Sequence, residues 1–236
     1  MTDEDLKPYF AAAAANLVYN APVSPERVED LISRLTPDAP DWRALDLGCG
    51  NGEFLIRLCK EHGIPGAGVE IFPADREVAL KRAAELKAED LLAFHTADAT
   101  TWTEPANLVV NVGAGHIWGS TASALTALHK LTAPGGMLLF ADGFYEKEPS
   151  EQVREMFGDL PDLNGFAAAA VAAGFRVLYL GQSTLDEWDA FESDWRAGIE
   201  YLESPGGRAF ADKRREEYLT GYRGVVGFAW SILTPA

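Results

Sequence analysis

Residues 44–58 read ALDLGCGNGEFLIRL, and this stretch decides the fold. An apolar run stops at Leu47, glycines follow at every second position, and Phe54, Leu55 and Leu58 then start a helical pattern. Gly48, Gly50 and Gly52 allow a sharp turn that brings bare amides close to a ligand at a helix N-terminus. Strand, glycine turn and helix in that order open a βαβ unit built to hold a nucleoside. Eighteen residues past Gly52 the next apolar run ends at Glu70, where a carboxylate accepts from both ribose hydroxyls.

The same grammar continues outward. Strand-like RALDLG (43–48), GAGVEI (66–71), LLAFHTAD (91–98), NLVVNVG (107–113) and GGMLLFADG (135–143) alternate with helix-like FLIRLCKEHG (54–63), DREVALKRAAELK (75–87) and TASALTALHKL (121–131). Strands and helices at this spacing predict a parallel sheet covered on both faces. LNGFAAAAVAAGF (163–175) predicts a helix from an Asn164 cap to a Gly174 stop, followed by the strand FRVLYLG (175–181). VVGFAWSIL (225–233) is the last strand.

Helices flank this core. An alanine-rich helix is expected over 2–18, with Leu6, Phe10, Ala13 and Leu17 on one face. A second begins with Ser24 as N-cap and Pro25 in the first turn, buries Val28, Leu31, Ile32 and Leu35, and ends at TPDAP (36–40). About forty residues before the last strand are too many for a plain loop. They open with a capping box, Thr184 and Glu187, and Leu185, Trp188, Phe191, Trp195, Ile199 and Leu202 recur at helical spacing. A charged helix follows the break at SPGG (204–207). One domain over 1–236 is expected: a helical cap over 1–40, core units over 43–183, a helical insert or lid over 184–222, and the last strand over 223–236.

Composition narrows the partners. Lys plus Arg number 20 against 36 Asp plus Glu, a net charge of −16 that repels phosphate backbones and anionic lipid. Nucleic acid and membrane are therefore not expected as partners. Cys49 and Cys59 stand outside any ligand-like cluster, so no metal is expected. The acidic start, MTDEDLK, has no secretion-signal pattern, and no apolar run nears the ~20 residues that span a bilayer; a cytoplasmic monomer or homodimer is the expectation.

The glycine spacing also bears on the ligand. A dinucleotide site uses G-x-G-x-x-G to hold a pyrophosphate, whereas here G-x-G-x-G lies between Asp46 and Glu53. Carboxylates there repel a pyrophosphate and attract the ammonium and sulfonium of S-adenosylmethionine. An NAD-dependent oxidoreductase and a non-catalytic S-adenosylmethionine-binding regulator stay open as alternatives.

LDLGCGNGE (45–53) resembles the glycine motif of class I S-adenosylmethionine-dependent methyltransferases, and Glu70 in GVEI, Asp98 in TADAT and the segment LTAPGGMLLFADGFY (131–145) match that family in order. The resemblance implies a Rossmann-like three-layer αβα fold, with a mostly parallel seven-stranded sheet whose last strand is antiparallel. It implies S-adenosylmethionine as cofactor, held by Asp46, Gly48, Cys49, Gly50, Gly52, Glu70, Ile71, Asp98, Ala99, Val112 and Gly113. Asn107 departs from the acid that opens the fourth strand in many members. NAPVSPERV, GAGHIWG and FADGFYEKEP resemble a bacterial small-molecule subgroup, which implies methyl transfer to N or O of a small acceptor.

Candidates for the chemistry follow the fourth and fifth strands. His116, with an unperturbed pKa of ~6.5, suits a general base, and Asp142 suits holding a proton or an amine. Tyr19, His116, Trp118, Tyr145, Trp188 and Trp195 are expected to contact substrate. Each has a structural reading beside it: a loop brace for His116, a turn cap for Asp142, and core packing for the tryptophans.

Overall fold

The structure, a computed structural model, describes residues 3–39 and 41–236, with side chains from Leu6 onward. Thr2 and Pro40, the outer ends of two expected segments, lie outside the described residues. In chain order the elements are α1 (Asp3–Ala15), α2 (Pro25–Arg34), β1 (Ala44–Leu47), α3 (Glu53–His62), β2 (Gly66–Glu70), α4 (Pro73–Glu85), β3 (Leu92–Thr96), β4 (Ala106–Val112) and α5 (Thr121–Leu131). They continue with β5 (Thr132–Tyr145), α6 (Glu151–Phe157), α7 (Leu163–Ala172), β6 (Phe175–Gln182), α8 (Leu185–Glu200), α9 (Pro205–Glu217) and β7 (Val226–Pro235).

The strands form one seven-stranded sheet in the order β3-β2-β1-β4-β5-β7-β6, and only β7 runs antiparallel to its neighbours. The strand order reverses between β1 and β4, so their carboxyl ends splay apart and leave a crevice there. Alternation along the strands supplies two cores. Leu108, Val110, Leu139 and Ala141 face α2, α3 and α4, whereas Val109, Leu138 and Phe140 face α5 and α7. Both faces of the sheet are thus covered, which is why β4 is an almost unbroken apolar run.

A satellite cluster joins Ala13 and Leu17 to Trp195 and Ile199 of α8 and Ala211 of α9. The insert is therefore packed onto the N-terminal helix as well as onto the sheet. Ser24 caps α2 by accepting from the Arg27 amide, with Pro25 in the first turn, and the Thr184–Glu187 capping box opens α8.

Three readings change. The helix α7 is capped by Asp162, whose side chain accepts from the Gly165 amide, and not by Asn164. An acceptor two residues earlier wins because it leaves Asn164 free to continue the turn. SPGG starts a helix as well as ending one: Ser204 accepts from the Gly207 amide and Pro205 takes the first turn of α9. The short helix α6, capped by Ser150, carries too few apolar residues to show a period. Among the described residues, no helix is long and apolar enough to cross a membrane.

Candidate active site

The glycine turn is wound by backbone first. The Gly48 and Cys49 amides both donate to the Val69 carbonyl, and the Gly52 amide closes onto the Cys49 carbonyl before α3 begins. Gly48 has φ of 76°, and a Cβ there would lie 2.5 Å from the Ala114 Cβ in the loop after β4. Glycine at 48 thus brings the first and fourth strand ends together at the switch point. Gly52 serves packing: a Cβ would meet the Phe94 ring at 2.8 Å, and the residue does not line the cleft.

Glu70 organises the turn from the side. One carboxylate oxygen accepts from the Gly50 amide at 3.0 Å, and the other accepts from the Ile71 and Phe72 amides at 2.8 and 3.1 Å. One strand-end acid therefore fixes the glycine loop and the loop after β2 against each other. Asp98, at the next strand end, accepts from the amide and hydroxyl of Thr100 through one oxygen. Those bonds hold its carboxyl below the usual range and leave it ionised at the cleft edge.

Asp46 differs from both. It is 4% exposed, lines the cleft, and has no hydrogen-bond donor among the described residues. Burial, and then the charge of Glu70, push its pKa up to about 8. Burial likewise pushes the Cys49 thiol well up, which disfavours a thiolate and leaves Cys49 a small wall residue.

Together these residues surround a cleft of about 550 Å³. Asp46, Glu70, Asp75 and Asp98 line it, and among the described residues no lysine or arginine does. At and beyond the carboxyl end of β4 it is lined by Val112, Gly113, Ala114, His116 and Ile117, together with Trp230 of β7. A nucleoside carrying positive charge fits this donor set; a pyrophosphate finds no cation in it. Among the described residues no three His, Cys, Asp or Glu side chains gather as a metal site.

Of the residues expected from sequence, Asp46, Gly48, Cys49, Gly50, Glu70, Ile71, Asp98, Ala99, Val112, Gly113, Tyr19 and His116 line this cleft. Asp142 lies one layer below: it accepts from the Gly143 amide and sits so close under the Gly115–Trp118 turn that only glycine fits at 115. Burial raises its pKa, against the Gly143 amide and the His116 charge, which lower it.

The other expected substrate contacts lie outside the cleft. The Tyr145 ring is buried and its hydroxyl donates to the Gly158 carbonyl at 2.6 Å. Trp118 packs against the α5 side of the sheet. Trp188 is buried beside Tyr222, and Trp195 is buried against α1 with the Arg214 guanidinium 4.6 Å from its ring centre. None of these four lines the cleft: Tyr145 at the end of β5 and Trp118 after β4 are taken up by packing, and so is the apolar face of α8 that carries Trp188 and Trp195.

The family resemblance implies that the segment around Tyr19 and Asn20 folds over the cofactor; what sequence reading missed is how this strap, residues 16–23, is latched at the cleft. Arg82 donates to the Leu17 and Val18 carbonyls and pairs with Glu53, itself 5% exposed, at 3.1 Å. Asn51, inside the glycine motif, donates to Val18 and steadies the Glu53 amide. Farther along, the Trp230 indole donates to Ser183, whose hydroxyl donates to the Pro22 carbonyl. Glu187 accepts from the Ser24 amide and forms a two-pronged pair with Arg27. No short-range pattern signals any of these bonds.

A doubly wound sheet with a glycine turn, a strand-end acid and a carboxylate-lined cleft at its switch point defines a Rossmann-like fold of the nucleoside-binding type. Comparison with known proteins narrows the class. A methyltransferase-domain family model matches residues 20–179, and the chain belongs to that family. It is an enzyme that uses S-adenosylmethionine. Escherichia coli uncharacterized protein YjhP is 28% identical over 234 residues, covering 95% of this chain and 94% of that one. A Geobacter sulfurreducens S-adenosylmethionine-dependent methyltransferase, solved with S-adenosyl-L-homocysteine, is 26% identical with a TM-score of 0.84, over 97% of this chain and 98% of that one. The 27-O-demethylrifamycin SV methyltransferase of Amycolatopsis mediterranei is 27% identical over 139 residues, 55% of this chain and 51% of that one.

Proposed function

We propose that this methyltransferase, a single domain over 1–236, moves a methyl group to nitrogen or oxygen of a small-molecule acceptor, in the cytoplasm and as a monomer or homodimer. The observation that carries the reading is the methyl-side end of the cleft: His116, an exposed imidazole, stands beside the bare backbone of Gly113 and Ala114. S-adenosylmethionine, when bound, supplies an electrophilic methyl on a sulfonium. Asp46, Gly48, Gly50, Glu70 and Asp98 would hold it, and the absence of lysine and arginine from the cleft supports a cationic ligand over NAD. The net charge of −16 and the strapped cleft speak against nucleic acid as acceptor. The rifamycin relative, named for a small O-methyl acceptor, supports the acceptor class.

An acceptor atom that took the methyl would leave S-adenosylhomocysteine, with the electron pair of the broken carbon–sulfur bond on sulfur, and the proton the acceptor sheds would need a taker. His116 is that group, and Asp142 is a positioning residue, packed under the turn that carries the imidazole and stabilising it when charged. Tyr19, Val23 and Trp230 wall the approach and keep water from the reacting atoms.

The test is labelled S-adenosylmethionine with a metabolite extract, followed by His116→Ala and His116→Asn on the labelled acceptor. Loss of about a hundredfold or more in kcat in both variants, with S-adenosylhomocysteine affinity kept, is the expected result. Full activity in both reduces His116 to a brace of the loop.

A further inference from the structure

Beyond the strap lies a second cavity of about 530 Å³, between residues 16–23 and the N-terminal half of α8. Tyr19, Ala21 and Val23 line both cavities, so the strap is the wall that separates this space from the cleft. The strap is irregular here, with no helix or strand between residues 16 and 24. Its volume falls within the ~300–1,000 Å³ range of small-molecule pockets.

The lining has a definite chemistry. Leu17, Val18, Ala21, Val23, Ala190 and Phe191 give an apolar body, and Val18 remains 51% exposed because the cavity is open beside it. Most polar lining groups are already engaged. Arg27 and Glu187 neutralise each other, and the Asn16 amide donates to the Asp194 carbonyl. Two charges remain: the exposed carboxylates of Asp186 and Asp194, which have no hydrogen bond or ion pair among the described residues. They stand eight residues apart on one helix, about 12 Å along its axis, at the two ends of the apolar wall.

We propose that this second cavity is the outer compartment of the acceptor site, and that it takes an amphipathic acceptor bearing an alkylammonium group. The inference rests on the methyl-transfer reading. The apolar wall covers the acceptor's body, Asp186 or Asp194 holds its ammonium, and the methyl-accepting atom passes the Tyr19–Val23 wall to reach His116. Arg27 supplies little net attraction for an anionic acceptor because Glu187 neutralises it through the Nε–Nη2 edge of its guanidinium. An apolar wall edged by uncompensated carboxylates attracts a cation over its neutral isostere and repels an anion, and salt weakens the selection.

The experiment titrates n-octylammonium and 1-octanol, as probes, into the intact protein saturated with S-adenosylhomocysteine, and reads both affinities by calorimetry. Octylammonium should bind about fivefold or more tightly than octanol, the scale of a partly exposed charge pair. The double variant Asp186→Asn, Asp194→Asn should bring the two probes to parity, and Ala190→Trp should weaken both by filling the apolar wall. S-adenosylhomocysteine binding, measured in every variant, reports that the protein is folded. Equal affinity of the two probes for the wild type, binding of neither, or a preference unchanged in the double variant overturns the proposal. Failure of the wild type to bind S-adenosylhomocysteine overturns the methyltransferase reading instead.

Discussion

Glu70 and Glu187 are both buried carboxylates that accept backbone amides, one in the half of the molecule that carries the glycine turn and one in the half that carries the strap and α8. Glu70 takes its amides from Gly50, Ile71 and Phe72, all within 20 residues of itself. Glu187 takes one from Thr184 but another from Ser24, and it pairs with Arg27, 160 residues away. The first half is thus assembled by strand ends and their turns. The second is assembled by ion pairs between elements far apart in sequence, and such contacts form only once the sheet has brought those elements together. Damage should stay within whichever half is struck.

The largest test of that division is Glu192→Ala. Glu192 is fully buried on α8, where Arg214 grips both its oxygens and the Tyr222 hydroxyl donates to it. Removing the carboxylate strands the Arg214 charge, so a loss of about 3–5 kcal/mol in unfolding free energy is expected by denaturant titration. S-adenosylhomocysteine affinity should stay within about twofold if the halves are separate, the span of a surface-scale coupling. An equal collapse of affinity would break the comparison.

Gly48→Ala strikes the other half. A left-handed backbone and a Cβ 2.5 Å from Ala114 together should cost about 2–3 kcal/mol of stability. Here S-adenosylhomocysteine affinity should fall with stability, by at least about tenfold, because the amides of the turn are displaced. Unchanged affinity would mean that the turn is not what holds the ligand.

The smallest effect is a pH dependence confined to the strap and lid. Burial alone would raise the Glu187 pKa, but Arg27 and the Thr184 and Ser24 amides outweigh it and hold it at about 2, against an ordinary 4.5. A folded pKa below the unfolded one gives stability that is present above about pH 4.5 and lost as pH falls toward 2. The contribution should be about 1–3 kcal/mol, read as the difference between wild type and Glu187→Gln across that window. Parallel pH curves for the two proteins would deny the pair its role.

The same division explains what could be read in advance. Gly48, Gly50, Glu70 and Asp98 were legible because a parallel strand delivers its last residue to the cleft whatever the rest of the chain does. The tryptophans were not. Trp188 and Trp195 share a heptad spacing that says only that α8 has an apolar side. Whether that side meets substrate, sheet or another helix depends on the partner, and here Trp188 meets the sheet side and Trp195 meets α1. Asp142 shows an intermediate case: its strand end was legible, but the turn carrying His116 closes over it.

The sequence by itself determined the βαβ grammar, the strand-end acids and a ligand of positive charge, because period, turn residues and carboxylate spacing act over a few residues. Only the tertiary structure decided that Arg82 and Glu53 latch residues 16–23 in place and that a second cavity opens under α8. The physical reason is range. A turn or a cap is settled by its neighbours, whereas a buried ion pair needs two distant segments to lose water together, and no local pattern records which two will meet.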